Sequence, residues 1–186
     1  MELTKIQIEL FKFVTKMHGE QKRKYTGEPY VNHCIEVAEI VSEHQNACIE
    51  IALCHDLFED TDCDFAMLHK EMVNIGYVLS YAYETCTCVQ ELSDKYTHKD
   101  YPHLNRKARK LKEAVRLGDS SYKSQSVKYA DLISNTKSIV ENDKKFAKTY
   151  LLEKAYILKE MDKGNSVLFS NCLKSLERSQ YELNEM

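Results

Sequence analysis

Apolar residues recur along this chain at the three- and four-residue intervals of a helix, and polar stretches separate the runs. Leu3, Ile6, Leu10, Phe13, Val14 and Met17 predict a helix over 3–18, halted by EQKRKYTGEP, a charged loop with Gly27 and Pro29 near its end. Cys34, Val37, Ala38 and Val41 stand at i, i+3, i+4 and i+7 and predict a second helix from Tyr30 to near His44. A third is expected from about Asn46, with Cys48, Ile51, Ala52 and His55 on its inner face, so a histidine closes an apolar stripe. Residues 65–92 read as two helices broken near Gly76, followed by the polar loop SDKYTHKDYPHLN. A basic helix over 104–117, a loop GDSSYKSQ, and helices over 127–140, 144–162 and 165–182 complete the chain. The expectation is all-α, with about eight helices or more.

Composition supports that reading and narrows the function. Five Gly and two Pro are too few for the many tight turns of an all-β fold. A length of 186 residues suits one domain, expected over 1–186, with no fixed-period repeat and no linker. With 26 basic against 29 acidic residues the net charge is -3, so no global field draws the chain to nucleic acid or an anionic membrane. No apolar run approaches the roughly 18–20 residues of a membrane span. The amphipathic start MELTKIQIEL is unlike a secretory signal, and seven unframed Cys read as reduced thiols of a cytoplasmic protein. Cys86 and Cys88 form a C-x-C pair without a second pair at zinc-ligand spacing and read as small core residues.

The sharpest chemical signal is CHDLFED at 54–60. If the third helix runs through it, His55 lies over Glu59 and Asp56 over Asp60. Such a group at the end of an apolar helix is costly to bury unless its members are paired or bind a metal. Adjacent His and Asp can both reach one divalent ion; the competing reading is a helix cap or a surface ion pair. RKYTGEPYVNH at 23–33 delivers His33 to a helix start behind the Gly27-Glu28-Pro29 turn. VKYADLISNTKS at 127–138 puts Asp131, Asn135 and Ser138 at i, i+4 and i+7, a polar stripe.

In order, H…RK..GEPY..H, HD..ED and K.AD...N resemble the hydrolase domain of the RelA/SpoT homologues, within the HD phosphohydrolase superfamily. The resemblance runs from His18 to Ser138, and the absence of a synthetase domain makes the nearest counterpart a stand-alone small alarmone hydrolase. It implies that His33, His55, Asp56 and Asp131 bind a metal, usually manganese, and that Glu59 and Asp60 flank the attacking water. It also implies that Arg23 or Lys24 lies against guanine and that Asn135 and Ser138 line the nucleotide pocket. Two imidazoles and two carboxylates suit Mn²⁺, with other divalent transition metals also accommodated. Two positions depart from the family pattern. Tyr25 and Thr26 stand where one residue commonly separates RK from GEPY, and Cys34 replaces a frequent proline.

The activity so implied is hydrolysis of the 3′-pyrophosphate of guanosine tetra- and pentaphosphate to GDP or GTP and pyrophosphate. An HD phosphohydrolase of another nucleotide or dinucleotide, and a silent nucleotide-binding regulator, are the rival readings. The expected partner is a small-molecule nucleotide, with no nucleic acid and no membrane; a homo-oligomer is compatible with the sequence. The basic run Arg106, Lys107, Arg109, Lys110, Lys112 and Arg116 reads as a solvated face with collective attraction for phosphate. His18 reads as a support to the metal ligands or as structural, His44, His69, His98 and His103 as surface residues, and Tyr81 with Tyr83 as core.

Overall fold

The computed structural model describes residues 1–44 and 48–185. Among them are ten helical segments and no strand, only an isolated antiparallel bridge between Lys22 and Pro29. The chain divides into two compact units, Met1–Ser93 and Asp94–Met186.

The first unit holds α1 (Lys5–His18), α2 (Val31–Ser42), α3 (Ile49–Cys54), α4 (Leu57–Asp60), α5 (Phe65–Ile75) and α6 (Leu79–Leu92). Thr4 starts α1 with a capping box, accepting from the Gln7 backbone while the Gln7 side chain accepts from the Thr4 backbone. α5 ends at Gly76, whose φ of 114° suits glycine and few other residues. Leu10, Val14, Val37, Ala38, Leu53, Leu57, Leu68, Met72 and Val89 form the core of this unit. The buried Glu50 carboxylate accepts from the Gln7 amide at 2.9 Å and the Tyr81 hydroxyl at 2.8 Å, which offsets its desolvation. Tyr81 and Tyr83 are exposed rather than core, because α6 turns them outward and only the Tyr81 hydroxyl reaches inward. His69 is half-buried in an aromatic group with Phe65 and Tyr83.

The expected third helix differs from the prediction. Its expected start near Asn46 lies outside the described residues, and the segment divides in two at His55–Asp56, since Asp56 starts α4 afresh. Both sides of the break are apolar and buried, so the hydrophobic pattern carries no mark of it.

The second unit holds α7 (Arg106–Gly118), α8 (Tyr122–Asn142), α9 (Lys144–Glu160) and α10 (Ser166–Asn184), with α9 packed on α7, α8 and α10. α8 begins inside the stretch read as a loop. Ser121 caps it, and Gln125 fills the turn below, donating to the carbonyls of Leu117, Gly118 and Ser120 and accepting from the Lys163 and Gly164 backbones. A polar side chain buried by satisfied hydrogen bonds is invisible to hydrophobic periodicity. Gly164 is required there, as a Cβ would meet Cε2 of Tyr129 at 2.5 Å.

The basic run is largely engaged within its unit. Arg106 pairs with Glu153 at 2.6 Å, Lys110 with Asp94 at 2.6 Å and Arg116 with Glu113 at 2.6 Å, while Lys112 lies over the Tyr96 ring. Burial alone would raise the Asp94 carboxyl, but the ammonium groups of Lys110 and Lys128 hold it below the ordinary range.

Candidate active site

Three elements of the first unit converge on one carboxylate oxygen. α2 carries His33 in its first turn, while His55 and Asp56 occupy the joint between α3 and α4. Oδ2 of Asp56 lies 2.9 Å from Nε2 of His55 and 3.6 Å from Nε2 of His33. The two imidazoles meet edge to face, with centroids 5.1 Å apart. The hydroxyl of Tyr30, the residue before α2, donates to the same Oδ2 at 2.8 Å.

The proton on His55 can be assigned. Nδ1 lies 2.7 Å from the carbonyl oxygen of Ala52, which only accepts, so Nδ1 carries hydrogen. In the neutral ring Nε2 therefore presents a lone pair toward the Asp56 carboxylate. Two electron donors 2.9 Å apart repel unless a positive charge lies between or beside them. A proton on Nε2 meets that need, and so does a cation. Two imidazole nitrogens and a carboxylate, with His33 and His55 buried and Asp56 partly so, make a donor set that fits a divalent transition ion.

Glu59 and Asp60 sit beside this cluster in sequence on α4 and are exposed. The Asp60 amide donates to the Asp56 carbonyl at 2.9 Å, and its Oδ2 accepts from Gln21 Nε2 at 3.0 Å. The loop before α2 is a small hairpin: Arg23 N donates to Glu28 O, Gly27 N to Arg23 O, and Gly27 takes a φ of 71°. Its two cations differ. The Arg23 side chain is 11% exposed, with Nη1 3.8 Å from Glu36 Oε2, whereas Lys24 is exposed and lies over the Tyr25 ring.

In the second unit, α8 carries the other candidates. Asp131 is buried; Lys128 reaches its Oδ2 at 2.8 Å and Asn135 donates to its Oδ1 at 2.6 Å. The i, i+4 stripe thus joins Asn135 to Asp131 directly. Ser138 lies half-buried farther along α8, its carbonyl accepting from Asn142. Burial pushes the nearby Tyr150 hydroxyl well up, with the Asp131 charge adding to the effect.

No protein-family model matches the chain. Two relatives are named guanosine-3′,5′-bis(diphosphate) 3′-pyrophosphohydrolase MESH1. The Drosophila melanogaster protein is 30% identical over 142 residues, 73% of this chain and 70% of its own length. The Homo sapiens protein is 29% identical over 137 residues, covering 71% and 68% respectively. This chain belongs to the MESH1 family. A solved structure, described as a metazoan ortholog of SpoT that hydrolyzes ppGpp, matches with a TM-score of 0.77 over 96% of this chain and 97% of that one. At 22% identity that likeness establishes a shared helical fold. Membership accounts for the order of the three motifs, while Tyr30 and Gln21 enter the site from contacts. Tyr30 lay in plain view inside GEPY, but nothing in its type announces a partner 26 residues away. Gln21 had no signal beyond its place in a polar loop.

Proposed function

We propose that this chain hydrolyses guanosine tetra- and pentaphosphate, water displacing the 3′ oxygen at phosphorus to give GDP or GTP and pyrophosphate. The carrying observation is the contact of His33, His55 and Asp56 around one carboxylate oxygen, in a chain whose relatives are named for this reaction. His33, His55, Asp56 and, by the family pattern, Asp131 would hold a divalent ion, manganese by preference. When bound, that ion supplies Lewis-acid stabilisation of charge on the phosphoryl oxygens.

The chain's own residues do the rest. Tyr30 orients the Asp56 carboxylate, and the Ala52 carbonyl holds His55 in the tautomer that offers Nε2. Glu59 and Asp60 take the proton of the attacking water, and their exposure leaves them open to it. Arg23, with its guanidinium, is the better candidate to lie on the guanine; Lys24 is the alternative. Asn135 and Ser138 line the nucleotide pocket, with Asn135 also bracing Asp131. The whole chain is taken as one working HD-type domain with a nucleotide partner, in the cytoplasm. No described helix is long and apolar enough to cross a membrane.

The test is release of phosphate and pyrophosphate from a nucleotide panel by Mn²⁺-loaded protein. Guanosine tetraphosphate should yield GDP and pyrophosphate. Hydrolysis of another nucleotide with guanosine tetraphosphate untouched would replace the substrate, and inertness toward the whole panel would leave the silent regulator.

A further inference from the structure

Asp60 is held from outside its own helix, through a chain of hydrogen bonds with one direction. Gln21 Nε2 lies 3.0 Å from Asp60 Oδ2, and Gln21 Oε1 lies 2.8 Å from Nδ1 of His18. The carboxylate only accepts, so the amide must turn its nitrogen to Asp60 and its oxygen to His18. That oxygen also only accepts, so His18 Nδ1 carries the proton. In the neutral ring Nε2 is then an acceptor, and the Cys34 sulfur lies 3.9 Å away, placed to offer its S–H. Each link sets the next: Cys34 to His18, His18 to Gln21, Gln21 to Asp60. The anchor is stiff, because His18 is 5% exposed and stacks on Tyr30 with centroids 5.0 Å apart. Asp60, by contrast, is exposed at the end of a four-residue helix. Without a fixed partner its carboxylate would spread over several rotamers.

We propose that Gln21 is a positioning residue that fixes the carboxylate of Asp60, with His18 and Cys34 fixing Gln21 in turn. This rests on the reading of Asp60 as a carboxylate that takes a proton from the attacking water.

A double-mutant cycle tests the proposal. Gln21→Leu should lower kcat about tenfold, the worth of one hydrogen bond to a charged group, with KM within about twofold of wild type. The Mn²⁺ dissociation constant, measured by calorimetry on metal-free protein, should also stay within about twofold. In an Asp60→Asn background the same substitution should cost nothing further, because Gln21 acts through the carboxylate already removed. His18→Asn, which keeps an N–H near the Nδ1 position, should retain most of the kcat that His18→Leu loses. Wild-type kcat in Gln21→Leu, a fully additive loss in the double variant, or weakened Mn²⁺ binding would each overturn the assignment. If the wild-type protein hydrolyses no nucleotide, the proposed activity falls separately. The ¹⁵N resonances of His18 then decide: Nδ1 must be the protonated nitrogen in wild type, and Gln21→Leu must weaken that preference.

Discussion

The hydroxyl of Tyr30 donates to Oδ2 of Asp56 across 2.8 Å, so a residue at the edge of the α1–α2 loop supports a carboxylate carried at the α3–α4 joint. Tyr30→Phe keeps the ring stacked on His18 and removes the donor. Outer partners of metal ligands are worth about 10–100-fold in affinity, so the Mn²⁺ dissociation constant should rise by that factor in calorimetry. The metal-free protein should melt within a few degrees of wild type. Unchanged Mn²⁺ affinity would mean that Asp56 is oriented without Tyr30.

His55→Ala and Asp56→Ala remove two of the donors in the cluster. In wild type, Mn²⁺ at about 100 times its dissociation constant should stabilise the fold by about 2.7 kcal/mol, seen as a rise in Tm. Both variants should lose that rise. A wild-type protein whose Tm ignores Mn²⁺ would remove the metal from the account.

Glu59→Gln and Asp60→Asn keep the shape of each side chain while removing its capacity to take a proton. Each should lower kcat by about 10²–10⁴. Metal content by elemental analysis should stay near the wild-type level. Loss of metal in either variant would reclassify that residue as a ligand.

Arg23 and Lys24 separate in Michaelis kinetics. Contact with a base remote from the reacting phosphorus binds ground and transition states alike, so Arg23→Ala should raise KM much more than it lowers kcat. Lys24→Ala should do less, because its ammonium is engaged with the Tyr25 hydroxyl and stacks less well than a guanidinium. A larger KM effect for Lys24→Ala would exchange the two roles.

Buried thiols contribute to the loss of stability expected at alkaline pH. Burial pushes Cys86 up to about 12, and burial also raises Cys63 and Cys172 to about 11, from an ordinary value of 9.0. The unfolded chain then loses these protons first, so the contribution of these thiols to stability is intact below pH 9.0 and is lost as pH rises through 11 to 12. Each thiol contributes a slope of up to about 1.4 kcal/mol per pH unit in that window. Cys86→Ala should flatten the fall of Tm between about pH 9 and 11 relative to wild type, whatever it costs at neutral pH. An unaltered slope would place the alkaline loss elsewhere.

Amphipathic runs were legible wherever apolar side chains supply the packing. The helices over 3–18, 65–92 and 144–182 appear close to their expected bounds because burial of Leu10, Val14, Leu68, Met72, Leu151 and Leu168 follows the helical period. Where burial is achieved by hydrogen bonds the period is silent, so the start of α8 at Tyr122, with Gln125 packed below it, leaves no mark in the hydrophobic pattern.

By itself the sequence determined the helical class, the acids and imidazoles available for chemistry, and the order in which the motifs present them. Those follow from side-chain type and spacing, which are local along the chain. Tertiary structure decided that His55 and Asp56 stand at a joint between two helices, that Tyr30 supports Asp56, and that Asp60 is braced by Gln21 across 39 positions. Hydrogen bonds of that kind depend on where a proton and a lone pair meet in space. Spacing along one helix cannot specify such a meeting when the partners come from different elements.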